Sequence, residues 1–398
     1  MRTYEKTHPW ISYQIDLRRA SPRFWLKLGE ATSKCEHIAG VTLRPTIAQR
    51  LHWLYLAKGV QATTAIEGNS LTEEQVLKRL EGKLELPQSK EHLAQEIDNV
   101  AAACNEISET LKAGKLQLTR DRICDFNRTV LKNLAPQDNL VPGEIRKHSV
   151  VVGTVYRGAP AEDCDYLLTR LCAWLSGPNF EPPAEMATVY AIIKAVTAHL
   201  YLAWIHPFGD GNGRTARLVE LQILLAAGIP TPAAHLLSNH YNETRAEYYR
   251  QLGSASKSGG DIVPFVEYAV AGFVDGLREQ LAVIREQQWD AVWRNYVHES
   301  FRDRSGTASH RQRHLVLDLS RRDAPVPAAQ LPDLSPRLAR VYAQKSSKTL
   351  QRDLDAVEKM GLVERTPSGV RARRETILAF LPWRKETRGD REIGAADK

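Results

Sequence analysis

Residues 205–217, IHPFGDGNGRTAR, bring one imidazole, one carboxylate, three glycines, an asparagine and two arginines into a single short stretch. These are the groups needed to cradle a polyphosphate and to move a proton beside it. A glycine-rich turn that opens a helix presents free N–H groups and the positive end of the helix dipole, and together these bind phosphate. Arg214 and Arg217 are three apart, so they share one face of the first turn and can reach the same phosphate chain. Asp210 is a hard oxygen donor suited to the Mg²⁺ that accompanies nucleotide phosphates. His206 has the ordinary pKa of a group that takes a proton from an attacking hydroxyl. An apolar stretch (VYAIIKAV, 189–196) precedes the segment and a periodic one (RLVELQILLAAG, 217–228) follows. Pro207 disfavours helical geometry at His206, so one helix ends there and another begins beyond the glycines. Phe208 is expected to point into the core and pin the loop. Taken singly, these features read as a helix end, a turn and a solvated arginine pair. Their coincidence gains no packing, which points to chemistry.

Two further stretches carry signal. In QATTAIEGNSLTEEQV (61–76), Gly68 and Asn69 form a helix stop, and Thr72 with Gln75 forms the capping box of the next helix. Glu67 therefore sits in a last turn, where the dipole disfavours an anion by about 0.3–1 kcal/mol. It needs a cation there or is a tolerated surface charge, and the local pattern leaves both open. ETRAEYYRQLGSASK (243–257) places Tyr248 and Tyr249 on a helix, as a core stripe or as the wall of a pocket.

HPFGDGNGRTAR resembles, with no departure, the signature His-x-Phe-x-Asp/Glu-Gly-Asn-Gly-Arg-x-x-Arg of Fic-domain proteins, and the resemblance spans roughly residues 10–285. Enzymes of this family mostly transfer AMP from ATP to a hydroxyl side chain of a target protein. The resemblance implies His206 as general base and Asp210 as Mg²⁺ ligand. It implies Gly211, Asn212 and Gly213 as an anion hole, with Arg214 holding the phosphates and Arg217 the γ-phosphate. Tyr249 falls where the family lines its adenine site, whereas Ser256 stands where some relatives place an asparagine. Thr63-x-x-x-Glu67-Gly68 is similar to the family's inhibitory motif, Ser/Thr-x-x-x-Glu-Gly/Asn. That similarity implies a Glu67–Arg217 pair that denies the γ-phosphate its partner and leaves the α-phosphate misplaced.

These residues need elements to position them. Residues 21–115 and about 117–285 read as helices with short breaks, interrupted by PGEIRKHSVVVGTVYRGAP (142–160). There, β-branched residues around Gly153-Thr154 suggest a short hairpin. By resemblance its 149–157 segment is a flap that holds a target by β-augmentation. FRDRSGTASH (301–310) reads as a linker. Beyond it, a helix with Leu350, Leu354 and Val357 on one face stops at Gly361, and strand, turn and strand follow, the outline of a winged helix-turn-helix. The expected fold is thus mainly α, a Fic-type helical core with a β-hairpin flap. The expected domains are a helical N-terminal one with the inhibitory motif (1–116), the Fic core (117–300), a winged-helix-like module (301–385) and a polar tail (386–398).

The net charge of +7 is uneven, because residues 301–398 carry 21 Lys+Arg against 13 Asp+Glu. That basic quarter suggests its own partner. Lys348 and Arg352 on the helix, with Arg371, Arg373 and Arg374 on the wing, could contact DNA phosphates through residues 310–385, or the module could bind protein. Five cysteines without a Cys-x-x-Cys pair read as free thiols in a reducing cytoplasm. No apolar run approaches the roughly 20 residues that span a bilayer, so no membrane partner is expected. The expected activity is protein adenylyltransferase, with ATP as substrate and Mg²⁺, autoinhibited and capable of self-modification; a homodimer remains open. Two alternatives are kept, a transcription regulator using the fold as nucleotide sensor and an enzyme that mainly removes AMP.

Overall fold

The structure is a computed structural model and describes residues 2–114, 117–135, 140–152 and 156–378. Packing divides the chain into two units, Met1–Ile284 and Arg285–Lys398. The first opens with α1 (Thr3–Thr7), α2 (Pro22–Ala39), α3 (Pro45–Ala65), α4 (Glu73–Leu80), α5 (Glu91–Lys112) and α6 (Arg120–Val130). A hairpin follows, β1 (Val151–Val152) antiparallel to β2 (Tyr156–Arg157). Next come α7 (Ala161–Leu175), α8 (Ala187–Ile205), α9 (Asn212–Ala226), α10 (Thr231–Ala234), α11 (Leu236–Glu243), α12 (Arg245–Lys257) and α13 (Val263–Ser300). The architecture is mainly helical, as the sequence implies. The expected hairpin turn at Gly153-Thr154 and the tail 386–398 lie outside the described residues.

Local chemistry sets the helix ends. Ser21 accepts a hydrogen bond from the Phe24 amide at 3.3 Å with Pro22 in the first turn of α2. Thr72 and Gln75 exchange the two bonds of a capping box, 3.3 Å and 2.9 Å, before α4. Both satisfy amides that a helix start leaves without partners. Helix α8 is buried nearly all round. It has the length and mean hydropathy, 1.4, of a membrane span, but 78% of its most apolar window is packed inside the unit. Helix α9 packs along it. Each fully buried Leu or Val there contributes about 1.5–3 kcal/mol. The loop joining α8 to α9 is therefore mounted between two buried helices.

Residues on both sides of the division expected at 116/117 share one apolar core, from Tyr4 to Ile284, so no break in packing occurs there. The break falls inside α13, ahead of the expected linker, because Trp293, Val297 and Phe301 belong to the second core. Residues 307–310 of that linker are already helical, in α14 (Thr307–Leu319). The second unit adds α15 (Pro336–Tyr342), α16 (Ser347–Lys359) and an antiparallel pair, β3 (Val363–Thr366) and β4 (Gly369–Ala372). Leu354 and Val357 are buried as expected. Lys348 and Arg352 are exposed on α16. The strand-side arginines are engaged within the unit: Arg371 with Glu364 and Glu375, Arg373 with Glu364, and Arg374 with Glu286 and the face of Trp289.

Candidate active site

His206 caps the C-terminus of α8 in the left-handed region, φ 49° and ψ 59°, with its amide on the Leu202 carbonyl at 2.9 Å. This sharp exit turns the chain across the end of α8. Phe208 is buried beneath the loop, as expected. Asn212 clasps it from the other side. Its Oδ1 accepts from the Phe208 amide at 2.9 Å, and its Nδ2 donates to the Phe208 carbonyl at 2.8 Å. The Asn212 side chain is thus committed to loop shape, leaving its backbone amide for an anion. Gly211 caps α9 with φ 74°, and its amide donates to Asp210 Oδ1 at 2.6 Å.

The two arginines of the motif diverge. Arg214 reaches Asp210 Oδ2 at 3.2 Å and Glu96 Oε1 at 3.5 Å. Arg217 has a fully buried side chain, and its Nη2 donates to Glu67 Oε1 at 2.6 Å and to the Thr63 carbonyl at 2.9 Å. Helix α3 ends at Ala65 and Glu67 lies just beyond it, in a turn that aims its carboxylate at the start of α9. A Cβ on Gly213 would stand 2.1 Å from Glu67 Oε1, so only glycine lets the carboxylate approach this closely. Burial raises the carboxyl pKa of Glu67, but the charge and hydrogen bond of Arg217 outweigh it and hold the group below its ordinary value. The Nε and Nη1 donors of Arg217 are buried and make no hydrogen bond among the described residues. A single carboxylate leaves this guanidinium under-satisfied, and a larger anion would suit it better.

A cavity of about 710 Å³ opens beside these groups, lined among others by Glu67, His206, Gly213, Tyr248, Tyr249 and Lys257. Its size suits a nucleotide-scale ligand. Tyr249 lies on its wall as expected, and its hydroxyl donates to the Ile66 carbonyl at 3.3 Å, tying α12 to the Glu67 turn. Ser256 is turned inward, with its hydroxyl on the Gly253 carbonyl at 3.1 Å, and Ser254 and Lys257 line the wall instead. Burial first, and then the nearby charge of Arg146, pushes the His206 imidazole down to about 4. It is neutral at neutral pH and free to accept a proton.

Several contributors escape sequence reasoning. Arg146, buried, gathers carbonyls from three segments. Its Nε donates to His206 at 2.7 Å, Nη1 to His148 at 2.6 Å and Nη2 to Ala159, while its own amide donates to Pro207 at 3.0 Å. It clips the base of the hairpin to the loop at His206. A Cβ on Gly158 would meet the His206 Cβ at 2.9 Å, so the hairpin springs from directly beside the imidazole. Asn127 donates to the Asp210 carbonyl at 2.8 Å and accepts from the Gly143 amide at 3.0 Å. Beneath the cavity, His199 Nδ1 lies 3.0 Å from Glu220 Oε2, the Tyr241 hydroxyl donates to Glu220 Oε1 at 2.9 Å, and the Tyr248 hydroxyl meets His199 Nε2 at 2.8 Å. A lone Glu220 in the apolar run of α9 and a lone His199 in that of α8 were the visible signs of that network. Arg146→Ala should strand several buried carbonyls and lower stability by about 3 kcal/mol or more. Arg146→Lys, which cannot fork between carbonyls, should recover little of it. Urea unfolding of the three proteins checks this, and equal midpoints for parent and Arg146→Ala would refute it.

Residues 117–224 match the Fic/DOC family. The chain is similar to the protein adenylyltransferase fic-1 of Caenorhabditis briggsae, 32% identical over 233 residues, which cover 58% of this chain and 42% of that one. It is also similar to the protein adenylyltransferase Fic of Nematostella vectensis, 31% identical over 52% of this chain and 44% of that one. The chain thus spans less than half the length of these curated relatives. Among solved structures, Fic-1 of C. elegans (residues 134–508 of that protein) aligns with TM-score 0.54 and 27% identity, over 66% of this chain and 73% of that one. A Fic family protein from Desulfovibrio desulfuricans shares the fold, with TM-score 0.55 at 22% identity over 88% and 96% of the two chains. Residues 117–224 therefore form a Fic domain.

Proposed function

We propose that this chain is a protein adenylyltransferase, held in check by the Glu67–Arg217 pair. The observation that carries the reading is Arg217, fully buried beside the cavity, with two donors unpartnered among the described residues and its third nitrogen on Glu67 and the Thr63 carbonyl. A site built only to hold Glu67 has no use for those donors, whereas a terminal phosphate would take them. In the reaction, the oxygen of a target hydroxyl attacks the α-phosphorus of ATP. The bond from that phosphorus to the α–β bridging oxygen breaks, pyrophosphate leaves, and the hydroxyl proton passes to the His206 imidazole. The first-turn amides of α9 and Arg214 hold the phosphates, so the α-phosphorus faces His206 in line with the incoming oxygen. The curated relatives' names support AMP as the group transferred.

Among the described residues no cluster of three or more His, Cys, Asp or Glu could hold a metal unaided. A Mg²⁺ carried in on the phosphates needs only one or two protein carboxylates. Asp210, with a side chain 38% exposed and both oxygens near the phosphate cradle, fits that demand. When bound, the ion would neutralise phosphate charge and help fix the chain of phosphates. Asp210→Ala is therefore expected to lose most activity together with its response to added Mg²⁺, read in a Mg²⁺ titration of AMP transfer. An unchanged titration curve would assign the ligand elsewhere.

Incubation with ATP labelled at the α-phosphate tests the function itself. Label should become covalently attached to protein, and more so when Glu67 is replaced. Label released only as free AMP, with none on protein, would favour nucleotide hydrolysis or sensing instead.

A further inference from the structure

The hairpin beside His206 has two edges, and the chain itself already occupies one of them. The Gly158 amide donates to the Val150 carbonyl at 3.2 Å, and the register pairs Val151 with Arg157 and Val152 with Tyr156. In an antiparallel ladder hydrogen-bonded and non-hydrogen-bonded pairs alternate. Val150–Gly158 and Val152–Tyr156 are then the bonded pairs. The backbone groups of Val151 and Arg157 point outward, from opposite edges.

The Arg157 carbonyl does not face solvent. His8 Nε2 donates to it at 2.9 Å, while His8 Nδ1 is 2.9 Å from the Thr7 hydroxyl. His8 is buried, packed against Trp10 with ring centroids 4.9 Å apart and edge-on to Tyr156 at 6.2 Å. The segment carrying it is fixed at both ends. Arg2 and the Tyr4 amide reach the buried Asp163 of α7 at 3.1 Å and 2.8 Å. The Tyr13 amide donates to the Tyr201 hydroxyl at 3.0 Å, and the Tyr13 hydroxyl donates to the Leu167 carbonyl at 2.7 Å. Tyr156 is held from below, its hydroxyl on the Trp204 carbonyl at 2.7 Å. On the other edge Val151 is 56% exposed, and its backbone groups make no hydrogen bond among the described residues.

We infer that residues 2–13 form a strap that closes the outer edge of β2 through His8, so that an extended target segment pairs with the hairpin at the outer edge of β1, at Val151. Side chains alternate across a strand, and Val152 and Tyr156 are the pair that line the cavity. An added strand presents to the cavity those side chains that stand beside Val152. A hydroxyl at such a position faces His206. The β-augmentation that the resemblance implies for this hairpin is thus confined to one edge. His8 is a positioning residue: it touches neither nucleotide nor hydroxyl, and it acts by holding β2. The strap stands on geometry alone, whereas the choice of edge for a target rests on the transfer reading above.

The test uses the full chain and its variants His8→Ala and His8→Gln, since the glutamine amide can still donate to the Arg157 carbonyl. Hydrogen exchange of the 156–158 amides should quicken about tenfold in His8→Ala, the worth of one such bond, and return near the parent rate in His8→Gln. The ATP-induced rise in Tm should be the same in all three. Equal exchange in parent and His8→Ala, or equal quickening in both variants, overturns the strap. In the Glu67→Gly background the second readout is incorporation of labelled AMP into the chain itself. It should fall about tenfold with His8→Ala and recover with His8→Gln, and incorporation indifferent to His8 overturns the choice of edge. If exchange behaves as expected but Glu67→Gly incorporates no label at all, the transfer reading fails and the strap stands.

Discussion

Glu67→Gly should raise AMP transfer by about a hundredfold or more over the parent chain with ATP and Mg²⁺ saturating. The magnitude follows from geometry, because a displacement of about 1 Å in a reacting group costs on the order of 10²-fold in rate. In the resting protein Arg217 Nη2 is bound to Glu67 at 2.6 Å, and the Glu67 carboxylate covers Gly213 at the start of α9. On the proposed reading, a triphosphate entering this site would meet the carboxylate where its last phosphate belongs, and its α-phosphorus would be held out of line. Without the carboxylate, Arg217 is a fully buried cation with no anion. The variant should therefore lose about 2 kcal/mol of stability, a value reduced from that of a fully buried pair because the Glu67 side chain is 33% exposed. ATP should restore that loss, so the nucleotide-induced shift in Tm should be larger in Glu67→Gly than in the parent. Arg217→Ala should not activate, since it removes the restraint and the phosphate ligand together. A Glu67→Gly protein that transfers no faster, or that gains nothing extra from ATP, would separate Glu67 from any inhibitory role.

His206→Ala in the Glu67→Gly background should reduce transfer by about 10²–10⁴-fold, the range over which a positioned general base contributes. ATP affinity should change little, because the cradle of α9 amides, Arg214 and Arg217 does not include the imidazole. The acid side of the pH profile can be stated as well. An unfolded imidazole takes its proton near 6.5, and burial together with Arg146 moves the folded one down to about 4. Nitrogen NMR of the resting protein should find the His206 ring neutral at pH 6, with protonation only near pH 4. As pH falls through that window the unfolded chain binds the proton first, so whatever stability this group confers is lost on the way down. A ring already protonated at pH 6 would contradict the burial argument. An equal fall in ATP affinity and in turnover would make His206 a binding residue.

The motif at 205–217 was legible because its polarity interrupts two buried helices. Glu67 was legible as an anomaly, an anion at the wrong end of a helix, and the structure resolves it by bringing Arg217 from 150 residues away. Thr72 and Gln75 were legible because capping is decided within four residues. Arg146 and His8 were not. The value of Arg146 lies in carbonyls supplied by His206, His148 and Ala159, and that of His8 in the carbonyl of Arg157, 149 residues on. A backbone carbonyl has no side-chain signature, so nothing in the sequence marks which cation or imidazole will be sent to it. The break in packing within α13 was hidden for a different reason. The periodic apolar pattern continues through residues 263–300, but Trp293, Val297 and Phe301 serve a different core from Phe265, Phe273 and Leu277.

One assay bears most directly on the claim that the Glu67–Arg217 pair silences a His206-dependent AMP transferase. The parent chain, Glu67→Gly, Glu67→Gly with His206→Ala, and Glu67→Gly with Arg217→Ala are incubated with saturating ATP and Mg²⁺, and intact mass spectrometry reads covalently added AMP on the chain itself. AMP should accumulate on Glu67→Gly and stay near parent levels on the two double variants. Addition by Glu67→Gly no greater than that by the parent, or equal addition by the His206→Ala double variant, would contradict the account.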